Sequence, residues 1–235
     1  MLREQTEQLL HIRLTDSQVG MFRRYEELLM EWNEKFNLTA IREPEIIRVK
    51  HFLDSLTCIL AMRNLTAERV IDVGTGAGFP GLPLKVFYPD IQLTLVESIG
   101  KKARFCQMVS DTLHFERVTV WTGRAEELAH QAEQRESYDW AVARAVANLP
   151  ILMEYLLPFV RVGGFVLAQK GVSAYEEAQS AANAIKLLGG ELMKIIRVEL
   201  PGVVDERYLI LIQKKYSTPP MYPRQAGLPV KKPIV

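Results

Sequence analysis

A chain of 235 residues, 48% hydrophobic and 24% charged, has enough apolar material for a sizeable core, which excludes a disordered chain. Its 29 basic and 28 acidic residues nearly cancel, so total charge by itself names no partner. Cys58 and Cys106 each sit in a helical apolar pattern and read as buried thiols of a reducing compartment rather than as a disulfide.

The opening MLREQTEQLLHIRL mixes charged and apolar residues, with no continuous apolar stretch and no small-residue cleavage site. No window reaches the roughly 18 uninterrupted apolar residues of a membrane span. The expectation is a cytoplasmic enzyme or binding protein. Val19, Phe22, Leu29, Trp32 and Phe36 recur at helical steps, with Thr15 and Gln18 placed for a capping box. A second helix is expected to open at Pro44 and run through Ile46, Val49, Leu53, Leu56 and Leu60. Up to about residue 66 the pattern is helical throughout.

Beyond that point short β-branched runs alternate with helices. Strands are expected at Arg69–Val73, Leu93–Glu97, Val118–Trp121, Trp140–Ala143 and Phe165–Gln169, with helices at Lys101–Leu113, Ile151–Leu157 and Ala174–Leu188. Such alternation implies βαβ units, a parallel sheet and helices on both faces. Met193–Leu200 and Arg207–Lys214 are joined too closely for a crossover helix and predict a closing antiparallel hairpin. The tail 216–235 is rich in proline and reads as extended over the surface. Together with Lys214 and Lys215 it carries basic residues and no acidic one. The expected organisation is a helical extension over 1–66, an α/β domain over 67–215 and this basic tail.

The loop Ile71–Gly81, IDVGTGAGFPG, follows the first strand, where such folds bind ligands. Read from Gly76 it matches a dinucleotide fingerprint. A diphosphate, however, needs N–H donors at the next helix start, and Pro80 and Pro83 remove donors there. Asp72 adds a negative charge close by. These features favour a cationic ligand without phosphate, S-adenosylmethionine, whose amino-acid part the backbone at Gly74 and Gly76 could approach. Glu97 ends the second strand about 20 residues on, placed to accept from ribose hydroxyls. That carboxylate suits a nicotinamide dinucleotide equally, so a dinucleotide or a purely structural turn stays open on the loop alone.

The motifs WNEKFNLTAI (Trp32–Ile41), HFLDSL (His51–Leu56), DVGTGAGFPGLPL (Asp72–Leu84), LVESIGKKARF (Leu95–Phe105), ARAVANL (Ala143–Leu149), QKG (Gln169–Gly171) and RYLILIQK (Arg207–Lys214) span nearly the whole chain. Together they resemble the bacterial small-subunit ribosomal RNA guanine-N7 methyltransferases, once named glucose-inhibited division protein B. The resemblance implies a Rossmann-like, S-adenosylmethionine-dependent methyltransferase fold with a mostly parallel seven-stranded sheet. It also implies methyl transfer to N7 of a guanine in the 530 loop of 16S ribosomal RNA, with that RNA or the small subunit as partner. Gly74, Phe79, Ala125, Glu126 and Arg144 fall on the family's donor-binding motifs. Glu97 departs from it, since many relatives carry Asp there.

Guanine N7 has a lone pair and no proton to lose, so alignment matters more than acid–base groups, and no catalytic residue is assigned. Neither cysteine has the proline neighbour of a carbon-5 methyltransferase. Asn148-Leu149-Pro150 is followed by Ile151, without the aromatic of an adenine-N6 enzyme, and reads as a helix start. Arg144, at the end of the fourth strand, is a candidate for donor or nucleotide contact, with an ordinary ion pair as the alternative. Lys170, Lys101 and Lys102 are candidate RNA-phosphate contacts, or solvated side chains. His51 and Asp54 stand three apart, as a structural pair sharing a helix face would. His11, His114 and His130 show no ligand spacing, and no metal is expected. Phe79, lifted by the glycine loop, is the aromatic best placed to meet a ligand, whereas Trp32, Phe36 and Phe52 belong to the core.

Overall fold

A computed structural model describes residues 1–62 and 64–234; Arg63 and the tail's final Val235 lie outside the described residues. The chain opens with helices α1 (Leu2–Leu10) and α2 (Asp16–Phe36). At the start of α2 the capping box forms as its residues demand: Gln18 N donates to Thr15 Oγ1 and Thr15 N to Gln18 Oε1. Gln18 Nε2 also donates to the Val86 carbonyl, which fixes the extension to the sheet domain. Asn37, in left-handed conformation, stops α2.

The next helical run is not uniform. It begins as α3 (Pro44–Ile47), widens into a π-helix over Arg48–Leu53, returns to α4 (Asp54–Leu56) and tightens to a 3-10 turn over Thr57–Leu60. Among the described residues no helix is long and apolar enough to cross a membrane.

Seven strands form one sheet: β1 (Arg69–Val73), β2 (Gln92–Glu97), β3 (Val118–Thr122), β4 (Tyr138–Arg144), β5 (Val160–Lys170), β6 (Gly190–Val198) and β7 (Arg207–Lys214), in the order β3-β2-β1-β4-β5-β7-β6. Strands β1 to β5 are parallel, and β7 runs antiparallel to both β5 and β6. Strand order reverses between β1 and β4, so their carboxyl ends open a crevice suited to a ligand.

The pleat sends alternate residues to opposite faces, which is why the central strands β1 and β4, covered on both sides, are largely apolar, whereas edge strand β6 is mostly exposed. Val70, Leu95, Val142 and Leu167 face a core shared with the amino-terminal helices, α5 (Gly81–Phe87) and α6 (Gly100–Thr112). Ile71, Val96, Ala143 and Val166 face a second core under α7 (Ala125–Leu128), α8 (Leu149–Leu156), α9 (Ala174–Ser180) and α10 (Ala182–Leu187). The two cysteines are free and buried.

The tail lies along the surface as expected and is mostly without regular structure, but it is not a loose extended segment. It includes helix α11 (Leu228–Lys231) and is tied down by buried charge. Arg224 makes a two-pronged contact with the fully buried Glu154, its closest N–O distance 2.6 Å. Arg135 donates to the carbonyls of Thr218 and Tyr222. Lys214 is itself buried, donating to the Leu157 carbonyl and pairing with Glu136 at 3.2 Å. Proline disfavours regular structure, but these anchors recover the free energy that a loose tail would forgo. They also neutralise Lys214 and Arg224, leaving Lys231 and Lys232 as the exposed charges at its end.

Candidate active site

At the crevice lies a cavity of about 760 Å³, within the range of small-ligand sites. The glycine loop forms one wall. Gly74 and Thr75 donate to the Val96 carbonyl at 2.8 and 3.2 Å, turning the chain sharply out of β1. Gly74 has φ +70°, and a Cβ there would meet Val146 Cγ2 at 2.6 Å. At Gly76, φ +62°, a Cβ would meet nothing within 4 Å and would enter open space.

Asp72 does not face the cavity, contrary to the picture of a carboxylate presented to a cation. It is fully buried beneath the loop, where Oδ2 accepts from Thr75 Oγ1 and from Gly81 N, each at 2.7 Å. Burial pushes its pKa up to about 6, and the bonds from Thr75 and Gly81 work against that rise. The case against a diphosphate still stands, by a different route. In the first turn of α5, Gly81 N–H serves Asp72, Leu82 N–H serves the Gly78 carbonyl, and Pro83 has none. No donor of that turn is left to hold a phosphate.

Glu97, at the end of β2, borders the cavity; Oε2 accepts from Gly76 N at 2.9 Å and Oε1 from Ile99 N at 2.8 Å. Each oxygen retains a further lone pair toward a ligand hydroxyl.

The opposite wall comes from the amino-terminal extension, joined to β4 through Arg144. Its guanidinium pairs with Asp54 Oδ2 at 2.7 Å and lies over the Phe79 ring, 5.0 Å from the centroid. It also approaches His51 Nδ1 at 3.3 Å. Guanidinium has only donors, so His51 Nδ1 must accept, and Nε2 then carries the hydrogen given to Thr39 Oγ1 at 2.8 Å. Burial, with Arg144 adding to it, pushes the His51 pKa down to about 3 and keeps the ring neutral.

Phe79 is not the lifted, exposed ring expected from the loop. It is buried, stacked on His51 at 4.6 Å and on Tyr25 at 5.5 Å, and presents only an edge of the wall. His51 and Asp54 meet through Arg144 rather than on a common face. The π-helix changes the angular step there, so a spacing of three no longer superposes side chains.

Lys170 and Lys102 border the cavity; Lys101 does not. Lys170 is no free phosphate contact, since it pairs with Glu177 at 2.6 Å and donates to the Ala147 carbonyl. Ala125 and Glu126 start α7 and lie outside the cavity wall. Glu126 accepts from Gly227 N of the tail at 3.2 Å, and α7 follows Gly123, whose N–H reaches the Glu97 carbonyl. Leu38, Thr39, Lys50, Val146, Gln169 and Arg207 also line the cavity, and the pattern of elements does not mark them. Leu38, Thr39, Val146, Gln169 and Arg207 fall within the motifs WNEKFNLTAI, ARAVANL, QKG and RYLILIQK, whereas Lys50 falls in none.

The family model for rRNA small subunit methyltransferase G matches residues 18–204. The chain belongs to this family. Ribosomal RNA small subunit methyltransferase G of Alkaliphilus metalliredigens is 49% identical over 97% of this chain and 95% of its own length. Its counterpart in Alkaliphilus oremlandii is 47% identical over 96% and 94%. Among solved structures, geranyl diphosphate C-methyltransferase from Streptomyces coelicolor A3(2), bound to S-adenosyl-L-homocysteine, shares the fold. Its TM-score is 0.55 at 11% identity, over 69% of this chain and 78% of that one. The family makes the chain an rRNA methyltransferase whose methyl donor is S-adenosylmethionine. The cavity fits that donor: it has a carboxylate at Glu97, open space at Gly76 and no phosphate-binding helix turn.

Proposed function

We propose that the chain methylates N7 of a guanine in the 530 loop of 16S ribosomal RNA by direct displacement, with no protein base. What supports this reading most is the state of the titratable groups around the cavity. Asp54 is paired with Arg144, and Glu97 accepts a backbone N–H on each oxygen. Glu177 is held by Lys170, Ser173 and Leu149 N, and His51 Nδ1 faces Arg144. Each already serves a cation or an N–H donor, so none stands ready to take a proton from a substrate. An exocyclic amine, which must lose a proton, would be poorly served. Guanine N7 needs no such help.

Bound S-adenosylmethionine supplies an electrophilic methyl carbon on a positive sulfur, so the N–C bond forms as the S–C bond breaks and the charge passes to the base. The chain's part is alignment. Gly74, Gly76 and the Phe79 edge would seat the amino-acid portion, Glu97 would accept from the ribose hydroxyls, and Ala125 and Glu126 would back the adenine side. Asp72 would act by holding the loop in shape. Arg144, fixed by Asp54 and His51, would mark the junction between donor and target. Lys102 at the rim and Lys101 next to it would face RNA phosphates, which positions the RNA without reading its sequence, while Lys170, held by Glu177 and the Ala147 carbonyl, would brace the wall. The membership of the family and the motifs spread along the chain support the 16S target.

The test is to incubate small subunits lacking the modification with labelled donor, then map the product by mass. Label on N7 of one 530-loop guanine is expected; label on another atom or nucleotide would overturn the assignment.

A further inference from the structure

Arg69 opens β1, Gln92 opens β2 and Arg117 immediately precedes β3, at the end of the sheet away from the crevice. The parallel register sets them in one row. Arg69 pairs with Gln92, and Leu93 with Val118, so Gln92 has an arginine on either side. Two strand spacings separate the backbones of the arginines, about 10 Å, and two long side chains can close on one small anion across that gap. Two residues along, Thr94 beside Thr119 adds a row of hydroxyls. These five residues line a common cavity of about 340 Å³, to which Trp121 and Tyr138 contribute aromatic walls.

No acid lines this cavity among the described residues. Asp139 lies outside the lining, where it accepts from Arg69 N at 2.8 Å and pairs with Arg161 at 2.7 Å. Glu116, beside Arg117 in the chain, lies outside it too. The Arg69 guanidinium instead sits over the Tyr138 ring, 4.7 Å from the centroid, which holds the cation in place without cancelling its charge. Arg117 is exposed, and among the described residues its side chain has no ion pair. Other cavities of the protein differ. The crevice sets Asp54, Glu97 and Glu177 among its cations, and a cavity beside α1 sets Glu4, Asp16 and Glu26 among three arginines. Two arginines without acids, amid amides and hydroxyls, are donor chemistry suited to a phosphate.

We propose that this cavity holds a backbone phosphate of ribosomal RNA, a second contact at the end of the sheet opposite the methyl-transfer crevice. The inference rests on the chain being an rRNA methyltransferase, not on which atom of the base it modifies. β2 runs from Gln92 in the arginine row to Glu97 at the crevice, five steps of about 3.3 Å, so the two contacts stand roughly 17 Å apart. A folded polynucleotide spans that distance. With 29 basic and 28 acidic residues the chain has no overall field to hold RNA, so local phosphate contacts must position it. Two such points fix an orientation that one alone leaves free.

The test measures the affinity of the full-length protein for unmodified small subunits as a function of salt, with donor affinity followed by calorimetry. Arg69→Gln/Arg117→Gln is expected to flatten the slope of log affinity against log salt by about 1, equivalent to about tenfold weaker binding at about 0.1 M salt. Donor affinity, and the single-turnover rate at saturating subunits, are expected to stay as in the wild type. Arg117→Glu reverses one exposed charge and leaves the Arg69–Tyr138 contact in place, so it covers the case in which the double variant does not fold; it too is expected to weaken subunit binding. Lys186→Gln/Lys194→Gln removes equal charge from exposed positions on α10 and β6 and is expected to leave binding unchanged. Arginine variants that bind subunits as the wild type does would overturn the proposal. So would a lysine pair that weakens binding equally, since general charge would then explain the loss. Uridine monophosphate and inorganic phosphate are titrated alongside: if either binds the wild type while the arginine variants hold subunits normally, the cavity serves a small free anion and the RNA assignment falls.

Discussion

Replacing Gly74 with alanine tests whether the glycine loop is a fixed steric device. The residue has φ +70°, a conformation that costs an L-residue about 1–2 kcal/mol. The new Cβ would stand 2.6 Å from Val146 Cγ2, 3.2 Å from Cγ1 and 3.5 Å from Cβ, so the valine must shift or change rotamer to admit it. Overpacking of this kind costs about 1–3 kcal/mol. The expected destabilisation is about 2–5 kcal/mol, read as a shift in denaturant midpoint at constant slope. Because Val146 lines the cavity, donor affinity falls as well. The double variant Gly74→Ala/Val146→Ala removes the clash but not the backbone term, and is expected to be more stable than Gly74→Ala alone. Gly76→Ala, whose Cβ meets nothing within 4 Å, loses only the backbone term. If Gly74→Ala matches Gly76→Ala in stability, or if the double variant recovers nothing, the steric argument is wrong.

Arg144→Ala leaves the buried Asp54 with only the distant Arg207, 4.0 Å from Oδ1, and is expected to cost about 3 kcal/mol, together with loss of donor binding in calorimetry. In the wild type the His51 imidazole, whose pKa is pushed down to about 3, should show no titration by NMR above about pH 5; in Arg144→Ala its midpoint should rise. Asp72, raised to about 6, binds its proton more tightly folded than unfolded. It therefore stabilises the fold at low pH and loses that contribution as pH rises from about 4 to about 6. His51 has the opposite sign over about pH 3 to 6.5, so Asp72→Asn and not the wild type isolates the Asp72 contribution. Relative to the wild type, the Asn variant should gain stability more steeply as pH rises from about 4 to about 6, and an unchanged profile would refute the assignment. Arg224→Ala uncouples the tail from Glu154, and limited proteolysis should then cut within residues 216–234 far faster than in the wild type.

The parts of the fold set by local rules were legible in the chain. β-Branched runs placed all seven strands, the short link Pro201–Glu206 placed the hairpin, and Thr15 with Gln18 placed the start of α2. What escaped depends on contacts distant in sequence. Arg144 reaches Asp54 ninety residues away, and Arg224 reaches Glu154 seventy residues away. No periodicity encodes either pairing. The π-helix over Arg48–Leu53 breaks the spacing rule that would have joined His51 directly to Asp54. Asp72 illustrates a subtler limit: its position at the end of β1 was readable, but not the direction of its side chain, which the Gly81 N–H and Thr75 hydroxyl capture beneath the loop. Phe79 is buried for a related reason, since rings from the extension cover it on the side where the loop alone would have left it open.

The claim at the centre is that the cavity moves a methyl group onto a lone pair without accepting a proton. Its most direct measurement is the single-turnover transfer rate at saturating donor and subunits, followed from about pH 6 to pH 9. A rate flat across that range is expected, since an unprotonated N7 needs no base. A tenfold gain in rate per pH unit anywhere within it would show a group surrendering a proton before transfer, and would contradict the account.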